Sequence, residues 1–192
     1  MSDPLFGLFR SNIRHLDEAT QRRLFFAFRK LVYPGLVFLL GDHALAEDAV
    51  QEAFIKAMQR GPAMKHDTHI KAWLKQVARN AAIDLMRKNK KYRPILDPDS
   101  VIDNEEKPSL ALPATSVEEV VEQMIRNERL VEALQELKHE HRVALYLRYM
   151  EGLSIREIAS LLHIRESASG KRLERAKARL AELFVRKWGD SR

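Results

Sequence analysis

The sequence predicts an all-α protein of two small helical domains joined by a flexible acidic linker, and three observations predict it. Apolar residues recur at three- and four-residue steps over long stretches, while no run alternates with period two for long enough to make a strand. Across residues 94–115 the composition changes abruptly. Pro94, Pro98, Pro108 and Pro113 appear there with Asp97, Asp99, Asp103, Glu105 and Glu106, against the single base Lys107. Few large apolar side chains are spaced to form a helix face, so this segment reads as extended or disordered. Helical patterning then resumes. The expected domains are residues 1–93 and 116–192, with 94–115 as the tether.

The first helix is predicted from Asp17 to Leu40, interrupted or kinked at Pro34. Ala46, Ala49, Val50, Ala53, Phe54, Ala57 and Met58 form the stripe of a second, which Gly61-Pro62 ends. Ile70, Trp73, Leu74, Val77, Ala78, Ala81 and Leu85 form a third stripe, and this spacing assigns Trp73 to the core. After the tether, Ser116 with Glu119 matches a capping box, with Val117, Val120, Val121 and Met124 behind it. Another helix spans about residues 142–150 and stops at Gly152. Ser154-Ile155-Arg156-Glu157 repeats the capping box and opens a short helix carrying Ile158, Ala159 and Leu162. His163-Ile164 makes a tight turn. A longer helix follows over residues 166–187, with Leu173, Ala176, Leu180, Leu183 and Phe184 inward.

Charge points to a nucleic-acid partner. The chain has 33 Lys and Arg against 27 Asp and Glu, a modest net +6, so the distribution matters more than the total. From Arg165 to Lys187 there are eight bases and three acids. A capped helix, a turn and a second, basic helix make a helix-turn-helix, whose second member can lie in the major groove. Phosphates supply affinity to such charges, and base edges supply specificity to polar side chains within reach. The first domain has its own basic run, Arg79, Arg87, Lys88, Lys90, Lys91 and Arg93, beside Asp84. Arg79, Asn80, Asp84 and Arg87 are spaced to share a face turned from the Trp73 stripe. Two DNA-contacting surfaces on one chain suggest a protein that reads two elements at once.

Other chemistries find little support. Cysteine is absent, which removes disulfides, thiolate zinc sites and a cysteine nucleophile. His66 with His69, and His139-Glu140-His141, lack the HExxH arrangement, so no metal is expected. Neither a phosphate-binding glycine loop nor a GxSxG turn occurs. Glu105-Glu106 lies in the tether with nothing to hold it for acid–base work. The expectation is a protein with no cofactor that is not an enzyme. Residues 1–10 carry Asp3 and Pro4 and do not read as a secretory signal. The apolar stretch 31–40 is shorter than the roughly 20 residues that span a bilayer. A cytoplasmic, soluble protein is expected.

The residues also carry a family resemblance. Leu40-Gly41-Asp42, Ala46-Glu47-Asp48, Val50-Gln51-Glu52 and Phe54 stand in the order of a signature of bacterial extracytoplasmic-function (group 4) sigma factors. Ala72-Trp73-Leu74, Ala78-Arg79-Asn80 and Asp84 resemble a second signature of that family, and Ser154 with Glu157-Ile158-Ala159 a third. The match runs from about Phe25 to Leu183. It implies a region 2-like bundle in the first domain and a region 4-like helix-turn-helix in the second. It further implies binding to core RNA polymerase through the β′ clamp helices and the β flap. Asp48, Gln51 and Glu52 would dock on the clamp helices. Lys71, Lys75, Arg79, Asn80, Asp84 and Arg87, with the loop 61–69, would hold the −10 element as a single strand. Arg165, Ser167, Lys171, Arg172 and Arg175 would read the −35 element. An anti-sigma protein is a further implied partner, and the tether would thread toward the polymerase cleft.

Two stretches depart from the family's pattern. His163 stands where a glycine is usual in the turn, and Ser167-Ala168-Ser169-Gly170 replaces a more apolar run. Gly170 inside a helix costs about 1 kcal/mol relative to Ala, so the recognition helix is expected to be frayed, shifted or tuned to an unusual promoter. Two rival readings stay open. One is a sigma mimic that sequesters an anti-sigma protein, and the other is a helix-turn-helix repressor.

Overall fold

The computed structural model describes residues 4–64, 69–92, 95, 133–134 and 136–188. The described residues contain helices and turns and no strand, in two compact units that divide after Lys91. The Ser116 capping box, the stripe behind it, His66 and most of the acidic tether lie outside the described residues.

In the first unit, α1 (Pro4–Gly7) and two 3-10 turns lead into α2 (Glu18–Leu40). Asp17 caps α2, accepting from the Thr20 amide at 2.9 Å. The helix runs through Pro34 without interruption. Proline withholds the amide that would bond the Lys30 carbonyl, but Pro34 and Lys30 are both exposed, so water can take that carbonyl. Gly41 then ends α2 in the left-handed region at φ 62°, its N–H donating to the Val37 carbonyl. Asp42 immediately caps α3 (His43–Arg60), accepting from the Leu45 amide at 3.1 Å. The Leu-Gly-Asp motif is thus a turn, written as a helix stop followed by a helix start.

Helices α2 and α3 pack against each other and against α4 (Ile70–Lys88). The inward face of α3 is mostly alanine, Ala46, Ala49, Ala53 and Ala57, all fully buried. Such small residues let neighbouring helix axes approach closely, because interaxial distance follows side-chain size. Larger groups fill the space from the other side: Leu24, Phe28 and Leu36 from α2, Leu74 and Ile83 from α4. Phe9, Phe25 and Phe28 surround Phe54, with ring centroids 5.6, 5.2 and 5.5 Å away. Trp73 is half-buried beside the core residues Ile70, Leu74 and Val77.

In the second unit, α5 (His139–Leu145) passes directly into a π-helical segment, Tyr146–Met150. The Glu151 amide there reaches back five residues to the Tyr146 carbonyl at 3.1 Å. Gly152, at φ 69°, turns the chain into α6 (Ile155–Leu162). The Ser154 capping box forms as expected. Ser154 accepts from the Glu157 amide at 3.2 Å, and the Ser154 amide donates to the Glu157 carboxylate at 2.8 Å. His163 ends α6 at φ 55° and is the only non-glycine residue at positive φ among the described residues. A glycine suits that position because a Cβ is disfavoured there. Helix α7 (Glu166–Trp188) is continuous through Ser167–Gly170, neither frayed nor broken by the glycine. Ala133, Leu137, Ala144, Leu145, Leu173, Ala176, Leu180 and Leu183 form the core.

Candidate polymerase and nucleic-acid interface

On α3, burial of the alanine stripe forces the opposite face outward. Asp48 and Gln51 are exposed there. Glu52 is half-buried and pairs with Lys56 at 2.7 Å. The same Lys56 reaches across to Asp84 of α4 at 3.1 Å. Burial opposes the charge on Lys56, but the Glu52 and Asp84 carboxylates outweigh it and hold the ammonium above its ordinary pKa. Glu47 lies beside Asp48 in sequence yet has a different job. It accepts from Arg29 Nε through both oxygens at 3.1 Å, tying α3 to α2. The Arg29 hydrogen bond holds its carboxyl below the usual range.

On α4, Lys71, Lys75, Asn80 and Arg87 are exposed, and Arg79 and Asp84 are half-buried. At about 100° per residue Lys71, Lys75 and Arg79 follow one edge of the outward arc, and Asn80, Asp84 and Arg87 the other. The expected single face is therefore two rows, one on the first half of α4 and one on the second, with Ile83 and Met86 buried between them. Asp84 accepts from Arg87 at 2.9 Å as well as from Lys56, so its carboxylate is already committed to two bases. Lys71 Nζ sits 5.4 Å from the centre of the Phe6 ring. Of the loop before α4, residues 65–68 lie outside the described residues.

On the helix-turn-helix, Arg165, Ser167 and Lys171 are exposed and Arg175 is half-buried. Arg172 departs from the sequence expectation. It is only 3% exposed, and its guanidinium donates to the backbone carbonyl of Ile95. The helix register explains why: Arg172 precedes the core residue Leu173 and shares the inner half of α7 with Ser169 and Ala176. In this structure its side chain is packed inside the second unit. Ile95, which the composition assigns to the tether, is itself buried in this unit, as is Tyr92, whose ring meets His139 at 5.3 Å. His141 is also buried. Burial first, then the charges of Lys138, Arg172, Arg175 and Arg179, holds its pKa down at about 4.

Sequence reasoning missed the Arg29–Glu47 and Lys56–Asp84 links. Each joins residues on different helices, and spacing within one helix carries no signal for them. Among the described residues no group of three His, Asp or Glu side chains is placed to hold a metal. No described helix is long and apolar enough to cross a membrane.

Comparison with known proteins places both helical units in known families. Residues 24–92 match the family Sigma-70 region 2, and residues 127–180 match Sigma-70, region 4. The ECF RNA polymerase sigma factor SigM of Bacillus subtilis is 36% identical over 81% of this chain and 89% of its own length. SigL, an ECF RNA polymerase sigma factor of Mycobacterium tuberculosis, is 30% identical over 92% of this chain and 94% of its own. A probable RNA polymerase sigma factor, RfaY of Xanthomonas campestris, is 28% identical over 97% of this chain, which spans 46% of that longer relative. With both regions present in order, and with SigM and SigL matched over nearly their whole length, the chain belongs to the ECF RNA polymerase sigma factors.

Proposed function

We propose that this chain is a group 4 factor that binds core RNA polymerase and directs it to a subset of promoters, and that it acts in the cytoplasm as a promoter selector and not as an enzyme. The observation that carries the reading is the pairing, in one chain, of an outward acidic ridge on α3 with outward basic surfaces on α4 and α7. Asp48 and Gln51, with Glu52 at the edge, offer carboxylate and amide groups to the β′ clamp helices. The second domain meets the β flap. Lys71, Lys75, Arg79, Asn80 and Arg87 hold the −10 strand, with Asp84 and Lys56 fixing the position of Arg87. Arg165, Ser167, Lys171 and Arg175 face the −35 duplex, and Arg172 supports their helix from beneath.

The division of labour follows residues 1–93, the tether 94–115 and residues 116–192. An anti-sigma protein that covers these faces completes the proposal. A run-off transcription assay with core polymerase tests it. Addition of the protein yields a transcript from a defined promoter that core polymerase alone does not make. Absence of any promoter-specific transcript refutes the reading and favours a sigma mimic, while tight operator binding without polymerase favours a repressor.

A further inference from the structure

The outer surface of α7 singles out a residue that the helix's basic composition hides. Ala168, Ser169, Arg172 and Leu173 are buried, and Gly170 has no side chain. Over about the first two and a half turns, the exposed side chains are therefore Glu166, Ser167, Lys171 and Glu174. Ser167, Lys171 and Glu174 are four and three residues apart and stand in one row. The serine and the lysine donate hydrogen bonds. Glu174, ionised, only accepts.

Its surroundings keep that carboxylate available. The Glu174 side chain is 70% exposed, whereas Lys177, whose Nζ lies 3.1 Å from Oε1, has 10% of its side chain exposed. The ammonium restrains one oxygen from the domain side, and the group as a whole stays open to solvent. A carboxylate near DNA is repelled by phosphates at every sequence, so it lowers affinity unless a base offers it a donor. In the major groove cytosine presents its N4 amino group, while guanine presents O6 and N7 and thymine presents O4, all acceptors. An acid in an otherwise basic row discriminates chiefly by rejection.

We infer that Glu174 is a specificity-determining residue, accepting from cytosine N4 and rejecting guanine and thymine at the upstream-element position it meets. The inference rests on the proposed −35 reading by α7. To test it, the full chain with core polymerase transcribes a promoter library randomised across the upstream element, each variant linked to its own barcode downstream of the start site, and the barcodes in the transcripts are sequenced. The wild-type protein enriches cytosine at one position, on the order of tenfold over guanine or thymine. Glu174→Ala removes that enrichment and leaves other positions unchanged. Glu174→Gln, of the same size, moves it toward adenine, whose N6 and N7 suit an amide. A Glu174→Ala profile identical to wild type overturns the inference and leaves the proposed function standing. A wild-type protein that yields no promoter-specific transcript overturns both.

Discussion

Two glycines show how differently one side chain behaves at two positions. A Cβ on Gly61 would lie 2.0 Å from the Phe9 carbonyl oxygen and 2.8 Å from its carbon. Both are backbone atoms, so α3 and the N-terminal turn must separate to admit it. Gly61→Ala is expected to lower stability by about 1–3 kcal/mol, read as a reduced urea midpoint. A Cβ on Gly170 would meet only Ile155 Cγ2 at 3.9 Å, an ordinary contact. Gly170→Ala is therefore expected to raise stability by about 0.5–1 kcal/mol through helix propensity alone. Buried His141 adds a pH dependence. Between pH 6.5 and about 4 the unfolded chain takes up a proton there that the folded chain refuses, so stability falls as the medium is acidified through this window. The contribution is fully present above pH 6.5. Denaturation at pH 7 and pH 5 should differ by about 2 kcal/mol at this site, and His141→Leu should remove the difference.

At the scale of elements, helix ends are the most local features and the most legible. Asp17, Asp42 and Ser154 each cap a helix through an amide three residues on. Of these three helices, only α6 has the reciprocal carboxylate. Because α6 has 8 residues, its cap is a large part of what holds it in place before α7. Ser154→Ala is expected to cost about 1 kcal/mol and to weaken protection of the α6 amides against hydrogen exchange. Unchanged protection would show that packing of Ile158 and Leu162 alone holds the helix. Of the interruption or kink expected at Pro34, no interruption occurred, and of the fraying, shift or promoter tuning expected around Gly170, no fraying occurred. In both cases local propensity pointed one way and the packing of a long helix the other, and packing is worth more.

At the scale of the whole molecule, α3 presents an acidic ridge and α4 and α7 present basic surfaces among the described residues. Glu52 is a poor place to probe the acidic ridge, since reversing it would put a lysine against Lys56 and disturb Asp84 and Arg87 behind it. Asp48 is exposed and separate from that network. Asp48→Lys is expected to weaken binding to core polymerase at least tenfold while the melting temperature stays within a degree or two, since exposed substitutions cost little. Undiminished co-purification with core polymerase would remove α3 from the docking surface.

Periodicity, caps and charge runs act over three or four residues, so whatever depends on them is legible along the chain: helical class, most helix ends, the helix-turn-helix and its basic second helix. Which charges are available to a partner is settled by packing. Glu47 is taken by Arg29 at a separation of 18 residues, Asp84 by Lys56 at 28, and Arg172 by the Ile95 carbonyl at 77. No helical repeat reports on such partners. A side chain's freedom depends on what the fold brings against it, and those groups are distant along the chain.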